Sequence, residues 1–133
     1  LKYWERINLL AKKVLIVDDS VDLARALKAA LEQAGPYEAR IINDPRQALN
    51  ACLDFKPDII LMDVIMPGMD GGTAAAQIRQ DPSFKNMPVI FLTSILGKDE
   101  AAQKGGRLGH DPVMAKPVTI PELTARIEQV LKC

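Results

Sequence analysis

Val14-Leu15-Ile16-Val17-Asp18-Asp19-Ser20 sets four consecutive apolar residues against two carboxylates and a hydroxyl. A strand with one wet face alternates apolar and polar residues. An unbroken apolar run suits a strand covered on both faces, as inside a parallel sheet. In the helical pattern that follows, Leu23, Leu27 and Leu31 recur every four residues, and Gly35-Pro36 ends it. The same strand-then-helix alternation runs along the rest of the chain.

A weaker strand is predicted over about residues 37–42. Asp44 then caps a second helix, Pro45 suits its first position and Gln47 completes a capping box, with Lys56-Pro57 closing it. Ile59-Ile60-Leu61-Met62 is the next buried strand, with Asp63 at its carboxyl end. A third helix over about 73–79 follows the loop Pro67-Gly68-Met69-Asp70-Gly71-Gly72. Val89-Ile90-Phe91-Leu92 ends at Thr93-Ser94. Residues 98–104 allow two helical turns before Gly105-Gly106 stop them. Val113-Met114-Ala115 is a short fifth strand ending at Lys116-Pro117. The capping box Thr119-Ile120-Pro121-Glu122 opens a last helix with Leu123, Ile127, Val130 and Leu131 on one face. This alternation implies an α/β sheet with helices on both faces and right-handed crossovers.

Bulk properties narrow the function. The 133 residues fit one domain, here residues 12–133, and 48% apolar content supports a real core. Residues 1–11 hold the only tryptophan, Trp4, and read as an N-terminal extension or linker. Seventeen basic residues balance seventeen acidic ones, so global charge gives no case for nucleic acid or an anionic membrane. Cys52 and Cys133 lie far apart and match no metal-ligand spacing, which favours a reducing, cytoplasmic setting. No signal peptide or membrane-spanning run is present in the sequence. The chain starts at Leu1 rather than at methionine, as expected of a fragment, which leaves room for an output or sensor domain outside it.

In parallel α/β sheets the chemistry lies beyond the carboxyl ends of the strands. Those ends carry Asp18, Asp19, Asp63, Thr93 and Lys116. Crowded carboxylates repel and need a cation. A hard divalent ion such as Mg2+ takes oxygen ligands, keeps waters and pairs with phosphate. Metal, lysine, hydroxyl and a free carboxylate together suit phosphoryl transfer, in which the carboxylate itself is the nucleophile.

These residues give the chain its resemblance to a known family. Asp63-Val64-Ile65-Met66-Pro67-Gly68-Met69-Asp70-Gly71 is similar to the phosphoacceptor signature of the receiver domains of bacterial response regulators in two-component systems. Val14 to Asp19 resembles that family's acidic-pair strand, and Lys116-Pro117 its lysine-proline end. The resemblance covers about residue 12 to the C-terminus.

It implies a flavodoxin-like, doubly wound, five-stranded parallel sheet of order 2-1-3-4-5. It also implies a phosphoacceptor signalling domain rather than an enzyme in its own right, one that takes part in phosphotransfer and in its own dephosphorylation. Asp63 takes the phosphoryl group from a phosphohistidine. Asp19 binds Mg2+ directly, Asp18 mainly through water, and the backbone carbonyl of Ile65 completes the ligands with Asp63. Thr93 and Lys116 contact the phosphoryl oxygens, and the Lys116-Pro117 bond is of a kind often cis. The implied partners are a sensor histidine kinase or phosphotransfer protein and an output domain outside this chain. The implied switching face is made by the fourth helix, fifth strand and last helix, a candidate homodimer contact. Neither nucleic acid nor membrane is an implied partner of this domain.

Bland readings stand beside these. Asp18 and Asp19 could cap the first helix, His110 reads as a loop residue, and Met62, Met66, Met69 and Met114 read as packing. The sequence departs from the family's pattern where Val113 holds the usual aromatic switch place. It departs again where Gly72 and Thr73 replace apolar and acidic residues, and where Gly97, Gly105, Gly106 and Gly109 crowd the fourth-helix region. Two other functions compete. An interaction-only pseudo-receiver is opposed by the intact acidic set. A haloacid-dehalogenase-type phosphohydrolase is opposed by Ile65, where that family places a second aspartate.

Overall fold

The computed structural model describes residues 2, 10–94 and 107–132. Strands β1 (Lys12–Val17), β2 (Tyr37–Ile42), β3 (Ile59–Asp63), β4 (Val89–Thr93) and β6 (Asp111–Ala115) run parallel in the order β2-β1-β3-β4-β6. This is the 2-1-3-4-5 order implied by the resemblance. A two-residue strand, β5 (Arg107–Leu108), adds an antiparallel edge beside β6, turned by Gly109 at φ 63°. Two residues carry no periodicity, so nothing in the pattern announced it.

The unbroken apolar runs bury side chains on both faces. On one face Leu15, Val17, Ile60, Met62 and Phe91 pack with α2 (Ala48–Phe55) and α3 (Gly71–Gln80). On the other, Val14, Ile16, Leu61, Ile90 and Leu92 pack with α1 (Val21–Ala34) and α4 (Ile120–Leu131). Successive strand residues thus serve opposite cores, which is why no polar residue interrupts them.

Several local expectations shift. Leu31 is fully buried, but Leu23 is 57% exposed. A step of four residues drifts by about 40° per step on a helix, so that stripe spirals off the core. Ala24 and Leu31, seven apart, mark the buried line instead. Asp44 does cap, accepting from the Arg46 amide at 2.9 Å, but the turn it opens is a 3-10 turn over Pro45–Gln47. Gln47 offers its carbonyl to Asn50 rather than closing a capping box. Helix α3 starts two residues earlier than expected, because Asp70 accepts from the Thr73 amide at 2.7 Å. The expected cap of α4 forms, with Thr119 Oγ1 accepting from the Glu122 amide at 3.3 Å. The fourth-helix segment, 98–104, lies outside the described residues, as does most of 1–11.

Arg79, in the last turn of α3, closes the amino end of the sheet. Its guanidinium donates to both Asp111 carboxylate oxygens, at 2.7 and 2.8 Å, and to the Met87 carbonyl at 2.7 and 3.2 Å. Both side chains are largely covered, so this fork outweighs an ordinary surface pair. Arg79→Ala is expected to cost about 2 kcal/mol in denaturant unfolding. Arg79→Lys should recover less than half of the loss, since an ammonium cannot reproduce the planar fork.

Candidate functional site

The parallel register brings the carboxyl ends of the strands to one edge. Val17 pairs with Met62, Asp63 with Leu92 and Thr93 with Ala115. Backbone bonds carry the alignment past the ladders: the Val64 amide donates to the Leu92 carbonyl at 3.1 Å, and the Lys116 amide to the Thr93 carbonyl at 2.8 Å. Asp18, Asp63, Thr93 and Lys116 therefore stand side by side, with Asp19 at the mouth.

Asp18 is 4% exposed, and both its oxygens are engaged. Oδ1 accepts from the Ser20 amide at 2.9 Å, and Oδ2 from Lys116 Nζ at 2.8 Å. The bond to Ser20 is a local turn and not a cap of α1, whose N-cap residue Ser20 makes no side-chain cap bond. Asn43, which the sequence reading did not single out, donates from Nδ2 to the Asp18 carbonyl at 2.8 Å and holds its backbone. An asparagine after an edge strand reads as a turn residue, so no pattern flagged it.

Asp63 is 8% exposed. Its Oδ1 accepts weakly from the Ile65 amide at 3.4 Å, and its Oδ2 lies 3.5 Å from Lys116 Nζ. Thr93 is buried beside it. The Lys116-Pro117 bond is cis.

Carboxylate oxygens of Asp18, Asp19 and Asp63 all lie within 4.8 Å of one another. Burial pushes the Asp63 carboxyl above its ordinary value; the Lys116 ammonium opposes this, and the charges of Asp18 and Asp19 add to it. Lys116 is the cation that reaches two of the three carboxylates. An all-oxygen set with surplus negative charge fits Mg2+, which tolerates open water positions. The site opens into a groove of about 700 Å³ that runs from Asp19, Asp63 and Lys116 to Leu23, Leu27 and Ile120.

Comparison with known proteins agrees with this geometry. The response regulator receiver domain pattern matches residues 14–128. This chain belongs to that family. It is 35% identical over 124 residues to the phosphate regulon transcriptional regulatory protein PhoB of Pseudomonas aeruginosa, covering 93% of this chain and 53% of that protein. It is 36% identical over 123 residues to the alkaline phosphatase synthesis transcriptional regulatory protein PhoP of Bacillus subtilis, covering 91% and 49%. The chain thus spans about half the length of these curated relatives. Among solved structures, the Vibrio cholerae chemotaxis protein CheY4 superposes with a TM-score of 0.76 at 30% identity, covering 90% of this chain and 98% of that one. The receiver domain of a Syntrophus aciditrophicus signal transduction histidine kinase superposes at 0.74 with 30% identity, covering 92% and 91%. No helix among the described residues is long and apolar enough to cross a membrane.

The raised Asp63 value has a signed consequence for the metal-free domain. Stability linked to this group is full below the ordinary value of 3.8 and is lost as pH rises through the raised one, because the fold prefers the protonated form. Asp63→Asn removes that charge. It should raise the metal-free thermal midpoint at pH 7 by a few degrees, since about 1 kcal/mol moves a domain of this size by roughly 4 °C. The gain over wild type should shrink at pH 4. Scanning calorimetry with EDTA at both pH values checks it, and a midpoint that falls at pH 7 contradicts the charge argument.

Proposed function

We propose that this domain is a phosphorylatable switch in which Asp63 accepts a phosphoryl group from a phosphohistidine on a sensor histidine kinase or phosphotransfer protein. The observation that carries the reading is the shared cation. One lysine reaches both a buried, fully engaged carboxylate and a second carboxylate that keeps an open groove before it. Asp18 anchors Lys116, so Asp63 is left the less committed of the two. An Asp63 oxygen forms the new bond to phosphorus while the phosphorus–nitrogen bond breaks, and the departing imidazole nitrogen keeps the electron pair. Lys116 Nζ and the Thr93 hydroxyl, beside Asp63, take the incoming phosphoryl oxygens. Asp19, Asp63 and the Ile65 carbonyl would hold Mg2+, with Asp18 behind a water. Bound there, the ion would neutralise charge on carboxylate and phosphoryl oxygens.

New charge at Asp63 would bias the ends of β4 and β6 together, because the Lys116 amide is bonded to the Thr93 carbonyl. Val113, at the usual aromatic switch place, is 5% exposed within the α2–α3 core, so the signal would travel through backbone rather than through a swinging ring. An output domain or a second copy of this chain would read the face that includes β6 and α4.

Intact mass after treatment with acetyl phosphate and Mg2+ decides the phosphoacceptor. Wild type should gain one phosphoryl group and Asp63→Asn none; equal gains would move the acceptor elsewhere. Asp19→Ala should weaken Mg2+ binding by about tenfold or more in calorimetric titration, since an oxygen ligand is lost.

Lifetime follows from a neighbouring side chain. Ile65 is 54% exposed beside Asp63 and has no group that could orient an attacking water. Ile95, two residues after Thr93 as Ile65 is two after Asp63, lies outside the described residues. Ile65→Asn should speed decay of the purified phosphoprotein by about threefold or more, because a polar group there can align the in-line water. Unchanged or slower decay would refute the role given to Ile65.

A further inference from the structure

We infer that Gly71 is a positioning residue for the phosphoacceptor site, set apart from its neighbour Gly72 by a backbone contact that no side chain can share. The inference rests on the phosphoacceptor reading above and concerns how the loop from Asp63 to Ile65 is held.

Helix α3 begins at Gly71, which is buried against Met62 and Asp63 at the end of β3. The Gly71 amide donates to the Val64 carbonyl at 2.8 Å. This bond satisfies one of the orphan donors at a helix start and ties α3 to the residue after the phosphoacceptor. A Cβ built on Gly71 would stand 2.9 Å from Met62 Cγ and 3.1 Å from the Asp63 carbonyl carbon, and closer still to the Asp63 carbonyl oxygen. Two of those atoms are backbone of the residue that carries the nucleophile, so relief requires moving either α3 or the chain at Asp63. Gly72 is different. A Cβ there meets Asp70 Oδ1 at 3.3 Å, the side-chain oxygen that caps the Thr73 amide, and no backbone of β3. Gly68, at φ 85°, has open space where a Cβ would go, so its glycine serves the turn and not a contact.

The path from Gly71 to the site is short. Its amide fixes Val64, whose own amide is held by Leu92 of β4. The next residue supplies the Ile65 amide that faces Asp63 Oδ1 and the carbonyl assigned to the metal. A side chain at 71 would therefore displace a backbone ligand and the nucleophile together. Shifts of that size at a reacting group cost catalytic geometry far more than they cost packing.

The test compares Gly71→Ala with Gly72→Ala, which makes the same chemical change one residue away. Arg79→Ala serves as a destabilised control at the far end of α3. Metal-free amide chemical shifts of Val64 and Ile65, Mg2+ affinity, and the rate of phosphate uptake from acetyl phosphate are measured well below each variant's thermal midpoint. Gly71→Ala should move the Val64 and Ile65 amides and lose about tenfold or more in both Mg2+ affinity and uptake rate. Gly72→Ala and Arg79→Ala should stay within about twofold of wild type in affinity and rate.

Site parameters of Gly71→Ala that match wild type would overturn the inference. So would an equal loss in Arg79→Ala, which would assign the effect to stability. If Gly71→Ala does not fold, Asp70→Ala carries the test. It removes the side chain that caps the Thr73 amide and frees the same helix start. It should shift Val64 and Ile65 and weaken Mg2+, and silence in both would overturn the inference. A wild-type domain that takes neither phosphate nor Mg2+ would sink the phosphoacceptor reading itself. The metal-free amide shifts would then still decide whether Gly71 holds this loop.

Discussion

Three carboxylates converge within 4.8 Å at the end of a sheet, and one ammonium answers two of them. At an effective dielectric of about 20, two like charges at that distance repel by roughly 3–4 kcal/mol. No arrangement built for stability alone would gather them, so much of the surrounding structure is concerned with holding them there. Lys116 is fixed through its backbone to Thr93, Asp18 through Ser20, Lys116 and Asn43, and Asp63 by the ladder to Leu92. The net charge that remains is negative and oxygen-borne. The same imbalance that costs stability without a cation is the one that the proposed Mg2+ would relieve.

The sheet can carry this load because its two cores lie away from the charged edge. Leu15, Ile16, Ile60, Leu61 and Met62 are buried essentially completely. That separation also explains what was legible beforehand. A strand buried on both faces has to be apolar throughout, and a functional strand end has to break that rule abruptly. The transitions from Val17 to Asp18, Met62 to Asp63 and Leu92 to Thr93 are such breaks. Parallel strands of similar length then put the breaks at one edge, so the grouping of the charges could be expected from the pattern, while the order of the strands came from the resemblance to receiver domains.

What stayed hidden depends on geometry rather than residue type. Leucine spacing in α1 suggested a buried stripe, yet Leu23 faces the groove, because periodicity alone does not say where a helix turns away from its sheet. Strand β5 is too short to have a pattern. Gln47 and Asn50 could each make more than one local bond, and the 3-10 turn before α2 selected between them. Asn43 contributes through a hydrogen bond to a backbone atom distant in sequence, for which asparagine's identity gives no hint. The two adjacent glycines at the start of α3 look alike in the sequence and differ only by what lies opposite each Cα.

The loop after Asp63 therefore divides labour between backbone and side chains. Val64 is pinned twice, its amide by Leu92 and its carbonyl by Gly71, and Met66 is buried in the core. Between these fixed points the Ile65 side chain projects into solvent with little packing to lose. A residue in that position can be exchanged with small effect on folding, since neither its backbone bonds nor the core depend on its identity. Yet it lines the groove that opens onto Asp63. The fold thereby holds Asp63 through backbone contacts, and under the proposed phosphoacceptor role the lifetime of the product would be open to adjustment at a neighbouring surface position.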